Sequence, residues 1–236
     1  MADKDTIIAA KKKLLEVFKS KKKHDETTII EDGRNVECGK NVEASRGTDK
    51  FKTQGRLPYG QRWTSGFPVL DLGTKPEMDM NSWELEIVGE VDRPGKYSLS
   101  DLKKLGVTQY TKDFHCVTTW SKQDVMWSGI SFLKIMEMAQ VRKGWKHLIQ
   151  YGADGYSTNV PYEDIARDDT FLAFQLDGKP IPREHGYVRL IIPHLFAWKT
   201  SKFLMRLEFS NVDKPGFWEV RGYHNRGNAF LEERYS

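Results

Sequence analysis

The chain has 236 residues, 39% apolar, 12% aromatic and 30% charged, enough to close the core of one large domain. A mean hydropathy of −0.61 and the lack of any run near the roughly 20 apolar residues of a spanning helix exclude an integral membrane segment, and two cysteines exclude a disulfide-stapled fold. The net charge of +4 divides into eight lysines against three acids over residues 1–23, and 29 basic against 30 acidic side chains beyond, so a broad nucleic-acid footprint is excluded.

Ile7, Ile8, Leu14, Leu15 and Phe18 share one side of a 3.6-residue helix, with lysines on the other. The segment reads as a solvated, partly docked helix or as one that binds a surface or partner. Its longest apolar run, Ile7-Ile8-Ala9-Ala10, is shorter than the roughly 7–15 residues of an export signal. No twin arginine appears, and Ala2 replaces the glycine that myristoylation requires. A cytoplasmic chain with reduced cysteines is expected. From Lys21 to Gly55 the chain is polar and glycine-dotted, so residues 1–55 read as a basic helix with an irregular arm and 56–236 as the folded domain.

In that domain Trp83 to Val88 alternates as a half-buried strand, and Asp92-Arg93-Pro94-Gly95 marks a turn. Ser100 is placed to cap a short helix through Leu102 and Leu105. A strand is expected over 109–117, and Phe132, Ile135, Met136 and Ala139 predict a helix over 131–140. Strands follow over 147–151, 171–176, 187–192 and 203–209, with a turn at Asp177-Gly178. Many strands and few short helices predict a mixed α/β, β-rich single domain without internal repeats.

Cys116 ends one of these strands before a polar segment. A thiolate there suits a soft metal, although most free cysteines are buried and inert. Zinc is a poor reading: His115 and Cys116 point to opposite faces of a continuing strand, and Cys38 has no close cysteine partner. A Cys–His nucleophile pair stays open, with His185, His194 and His224 all distant in the chain. A second constellation runs from Arg189 through His194 to Ala197-Trp198-Lys199-Thr200-Ser201-Lys202. Its lysines, hydroxyls and backbone N–H groups suit a phosphate, with a solvated turn or a single-stranded nucleic-acid contact as alternatives. Arg56 and Gln61 lie in a glycine- and proline-held loop ready for an anion, and Gly152 to Thr158 reads as a Gly-Asp turn after a strand.

Four ordered blocks, FHCVTTWS with the following WSG, YGADGYSTNVP, HGYVRLIIPHLFAWKTSKF and PGFWEVRGYHNRG, resemble the sulfite oxidase-type molybdopterin-binding domain, in particular its small stand-alone oxidoreductases. The resemblance runs from about Arg56 to Gly227 and implies a β-rich α/β fold with molybdenum held by a pterin dithiolene and one cysteine. It implies Cys116 as the metal ligand, and His185 and Arg189 as pterin-holding positions. Thr200, Ser201 and Lys202 become the phosphate loop, with Gly152, Arg56 and Gln61 as further cofactor contacts. Val117-Thr118-Thr119-Trp120 stands where the sulfite oxidases carry Ala-Gly-Asn-Arg, so the likeness does not extend to an arginine-rich sulfite pocket.

The resemblance implies a two-electron oxidoreductase that exchanges an oxygen atom with a small-molecule oxyanion or sulfoxide and an unidentified electron donor or acceptor. His115, Asp154 and His194 are the proton-delivery candidates, each with a structural alternative. The rival is a non-enzymatic molybdopterin-binding or carrier protein. No nucleic-acid partner is expected, and oligomeric state is open.

Overall fold

A computed structural model describes residues 55–236, Leu72 and Thr74 excepted. The basic helix and irregular arm read over 1–55 fall, but for Gly55, outside the described residues.

Two sheets carry the fold. The first contains β1 (Arg62–Trp63), β4 (Thr108–Cys116), β5 (Trp120–Ser131), β8 (Phe171–Leu176), β9 (Lys179–Pro180) and β10 (Arg189–Ile191). The second runs in the order β3 (Gly95–Ser98), β2 (Glu84–Gly89), β11 (Leu204–Ser210), β6 (His147–Gly152), β7 (Ser157–Pro161). Three short helices join them: α1 (Leu99–Lys103), α2 (Phe132–Ala139) and α3 (Tyr162–Ile165).

β5 is the organising strand of the first sheet. It pairs antiparallel with β4 and β8 and parallel with the short β1. Its sequence, WSKQDVMWSGIS, has no steady alternation, and its leading half reads as a polar segment. Ladder bonds from its neighbours, not side-chain patterning, hold it extended. Gly129 marks the bulge where β5 crosses β8, because a Cβ there would lie 2.6 Å from the Leu172 carbonyl oxygen.

The first sheet is buried on both faces. Leu172, Phe174 and Leu190 face a core shared with Leu85, Ile87, Leu148, Leu207 and Phe209 of the second sheet and with Phe132, Ile135 and Ala139 of α2. Phe171, Ala173 and Ile191 face the other way, into a cluster with Phe114, Cys116, Trp120 and Trp127. That is why Phe171-Leu172-Ala173-Phe174 is a continuous apolar run. The apolar face of α2 repeats at i, i+3, i+7, and the helix stops where Gln140 turns left-handed (φ 50°) and its N–H returns to Met136 and Glu137.

The cap of α1 is corrected by two residues. Ser98, not Ser100, has extended backbone and accepts the Asp101 N–H at 3.1 Å; Ser100 lies inside the first turn. The Gly-Asp turn read after residue 152 is the tip of the β6–β7 hairpin, and Asp177-Gly178 joins β8 to β9.

Phe171 is fully buried and stacks on Tyr110 with ring centroids 3.9 Å apart. Phe171→Ala is expected to destabilise the domain by about 3–5 kcal/mol, read as a fall in the urea midpoint. A loss below about 1 kcal/mol would show that this cluster is not core.

Candidate functional site

Cys116 closes β4, and the turn Val117-Thr118-Thr119 returns the chain to Trp120 of β5. The sulfur is buried, with Thr118 Oγ1 at 3.2 Å. Burial pushes the thiol pKa up, while Thr118, Lys202 and Arg189 act to lower it. Gln61 is buried beneath the turn, where its Nε2 donates to the Cys116 carbonyl at 2.9 Å.

Arg189 leaves β10 toward the same side. It is 3% exposed, lies over the Phe114 ring at 5.1 Å, and donates to Thr200 Oγ1 at 2.6 Å. Burial lowers its pKa to about 10, so it is cationic at neutral pH. His185 ends a 3₁₀ turn and packs on Phe67, ring centroids 4.4 Å apart. Burial, then Arg189 and Lys202, push His185 down to about 4, so it is neutral at physiological pH.

Lys202 Nζ donates to the carbonyls of Leu70 at 2.7 Å and Glu184 at 2.9 Å. The two lysines expected to serve the loop together are split: Lys199 turns inward, fully buried, onto Glu219 and Asn159. Gly152 is required by close approach, since a Cβ there would meet the Lys202 carbonyl at 2.5 Å and Ser201 Oγ at 2.7 Å. Asp154 sits beside this contact and accepts the Tyr156 N–H at 3.1 Å; burial pushes its carboxyl pKa up.

The fold therefore gathers Cys116, Gln61, Gly152, Asp154, His185, Arg189, Thr200, Ser201 and Lys202. It sends three expected residues elsewhere. His115 points to the opposite face of β4, with Nδ1 on Ser121 Oγ at 2.8 Å, and burial lowers it to about 4. Arg56 is engaged by Asp113 and Asp124, whose hydrogen bonds raise its pKa. His194 Nε2 is 2.9 Å from Asp164 Oδ1, and the Arg226 guanidinium holds both oxygens of that carboxylate. Against burial, these partners draw Asp164 down to about 2.

One neighbour carries no individual sequence signal. Tyr223 packs on Trp198, in a cluster that Val117 also joins, and burial, then Tyr235 and the Cys116 charge, push its phenol up to about 12. It lies 107 positions beyond Cys116, and only the block PGFWEVRGYHNRG hints that the segment matters.

Burial and then Arg189 lower Lys202 to about 8, so its charge is present below that pH and lost above it. Sulfate, whose own charge is constant from pH 7 to 9, is expected to bind the chain more weakly across that range. Lys202→Met should weaken binding and flatten the dependence, as read by calorimetry. An unchanged pH slope in the variant would remove Lys202 from the anion site.

Comparison with known proteins places this geometry. Residues 72–218 match the family model of the oxidoreductase molybdopterin-binding domain. The uncharacterized oxidoreductase YuiH of Bacillus subtilis (strain 168) is 38% identical over 191 residues, covering 80% of this chain and 96% of its own. The catalytic subunit MsrP of a protein-methionine-sulfoxide reductase from Campylobacter jejuni is 26% identical over 156 residues, covering 58% of this chain and 52% of its own. Mitochondrial sulfite oxidase of Rattus norvegicus is 24% identical over 181 residues, covering 63% and 33%. The chain thus spans about half or less of these last two proteins. The sulfane dehydrogenase SoxCD of Paracoccus pantotrophus shares the fold, with a TM-score of 0.53 at 23% identity, covering 58% of this chain and 40% of the other. With the model matched over most of the described domain and one relative aligned along nearly its whole length, the chain belongs to the oxidoreductase molybdopterin-binding domain family, enzymes of the sulfite oxidase type whose cofactor is molybdopterin with its molybdenum.

Proposed function

We propose that the chain catalyses two-electron oxygen-atom transfer on a small oxyanion or sulfoxide, with Cys116 as the protein ligand of molybdenum. The observation that carries the reading is a buried thiol at a strand end, influenced by the charges of Lys202 and Arg189. The printed names of two relatives, a methionine-sulfoxide reductase and a sulfite oxidase, support the substrate class.

The residues fit the cofactor. Arg189 Nε and Gln61 Oε1 are buried polar atoms without a protein hydrogen-bond partner, a costly state that a polar bound group relieves. Among the described residues no cluster of three or more His, Cys, Asp or Glu side chains could hold a metal. Cys116 would hold the metal together with the cofactor. When bound, molybdopterin supplies the metal and its two-electron chemistry.

The chain's own residues bind, orient and exclude water. Arg189, braced by Thr200, and Lys202 set positive charge toward a phosphate, with the Thr200 and Ser201 hydroxyls beside them. Neutral His185 offers one donor and one acceptor nitrogen to a pterin edge. Phe67, Trp120 and Trp127 pack around Phe114 on the sulfur side and keep it dry. The Tyr223 phenol stays protonated at neutral pH and is suited to donate its O–H to a substrate oxygen. Asp154, whose carboxyl pKa burial pushes up, acts on Lys202 and is the second candidate for proton handling. His115 and His194 are committed to Ser121 and Asp164, so proton handling is assigned to Tyr223 and Asp154.

Protein from a molybdopterin-producing host is expected to hold about one molybdenum per chain, with Cys116→Ser losing metal and turnover with an artificial electron carrier. Cofactor bound without turnover of any sulfoxide or oxyanion would make the chain a carrier and overturn the reading. Tyr223→Phe is expected to keep its molybdenum and lose about 10²-fold in kcat. Unchanged kcat would remove the phenol from proton handling.

A further inference from the structure

The turn after Cys116 is held from outside at the Cys116, Val117 and Thr119 carbonyls and from within at the Thr118 carbonyl. Cys116 O accepts from Gln61 Nε2 at 2.9 Å, and Val117 O from the Arg234 guanidinium. Thr118 O accepts from Thr119 Oγ1 at 2.7 Å, and Thr119 O from the Arg62 N–H at 3.0 Å. These donors come from both ends of the described chain, Gln61 and Arg62 before β2 and Arg234 near the last residue.

Thr119 shows how tightly the turn is specified. Its φ is +69°, a left-handed conformation that a β-branched residue rarely adopts and that persists only where the surroundings over-determine it. The tethered carbonyls leave the turn's donors for the thiol. The Thr118 hydroxyl oxygen lies 3.2 Å from the sulfur. Among the described residues Thr118 Oγ1 has no other hydrogen-bond partner.

The cations do not make this contact. Arg189 is committed to Thr200 and Lys202 to the Leu70 and Glu184 carbonyls, so they act on the sulfur through charge. A thiolate sulfur can only accept, which fixes Thr118 as the donor.

We infer that Thr118 is a positioning residue that tunes the thiolate: its hydroxyl donates to Cys116 Sγ, withdraws electron density from the sulfur, and raises the midpoint potential of the metal held there. Hydrogen bonds to ligand sulfur tune other thiolate-bound metals in this way. The inference rests on the proposed ligation by Cys116.

The test compares holoprotein of the native sequence with Thr118→Val, which keeps the shape and removes the hydroxyl, and Thr118→Ser, which restores it. Molybdenum content is read by mass spectrometry, and midpoint potential by redox titration followed in the thiolate-to-metal absorption band. Thr118→Val is expected to keep its molybdenum, shift to a more negative potential and move the band, while Thr118→Ser stays near the native values. If Thr118→Val binds no metal, Thr118→Ala takes its place in the comparison. Molybdenum present with no shift on hydroxyl loss overturns this inference alone, as does a serine variant shifted as far as valine or alanine. Absence of molybdenum from the native protein overturns the ligation by Cys116, and this inference falls with it.

Discussion

The ammonium group of Lys199 is sealed from water and bonded to three oxygens: Asn159 Oδ1 at 2.8 Å, Glu219 Oε1 at 2.5 Å and the Asn225 carbonyl at 2.7 Å. A buried charge is tolerated only when it is paired and hydrogen-bonded, so these three segments have one mutual arrangement. The same Glu219 oxygen accepts from Thr158, and Asn159 donates to Asp213 and Asn225. Gln150 brackets the lysine backbone by donating to the Lys199 carbonyl at 2.8 Å and accepting the Ser201 N–H at 3.1 Å. With residue 199 fixed from inside, Thr200 meets Arg189, and Lys202 reaches the Leu70 and Glu184 carbonyls on the Cys116 side. Glu219 lies four residues before Tyr223, so one ion pair sets both the anion loop and the segment carrying the phenol.

The electrostatics of the site follow from burying the positive charges of Arg189 and Lys202, with Asp71 and Asp154 acting on Lys202 alone. Arg189 lowers the pKa of Lys202, and burial, then Arg189 and Lys202, keep His185 neutral. A region built this way favours an anion, because a phosphate or a thiolate restores the balance that burial removes. The thiol responds in the opposite sense, since burial alone would keep it protonated. Under the proposed ligation a metal would replace the proton, and ligation and deprotonation of Cys116 would be a single event.

How much of this was legible follows from the range of each interaction. Period-2 and 3.6-residue patterns placed β2, β8 and α2 within a residue or so, because those elements bury one face or a whole run. The alternation along β4 correctly separates His115 from Cys116. β5 escaped because pairing with three neighbours holds it, and its polar half has no face to read. The ordered blocks around Arg189 and Lys202 pointed to the region the fold assembles. They could not say that Lys199 turns inward, that Arg56 meets Asp113, or that His194 meets Asp164, because each depends on a carboxylate at least 20 positions away. Tyr223 and Arg234 were invisible for the same reason. Their contacts near Cys116 cross more than 100 positions of chain.

The last residues of the chain belong to the site as much as β4 does. Arg234 donates to the Val117 carbonyl, lies over the Phe196 ring at 4.7 Å, and is held by Glu232. Phe196 also bridges in parallel to His115, so the guanidinium spans from the turn after Cys116 to the segment leading into the anion loop. Glu232 in turn comes within 3.4 Å of where a Cβ on Gly60 would stand, beside the loop that carries Gln61. Gly60 (φ +72°) and Thr119 (φ +69°) are both left-handed, a state that glycine adopts freely and that the threonine side chain disfavours. Arg234 and Glu232, lodged between them, join Gln61 and Arg62 in holding the turn after Cys116, so segments far apart in sequence fix the geometry at the sulfur together.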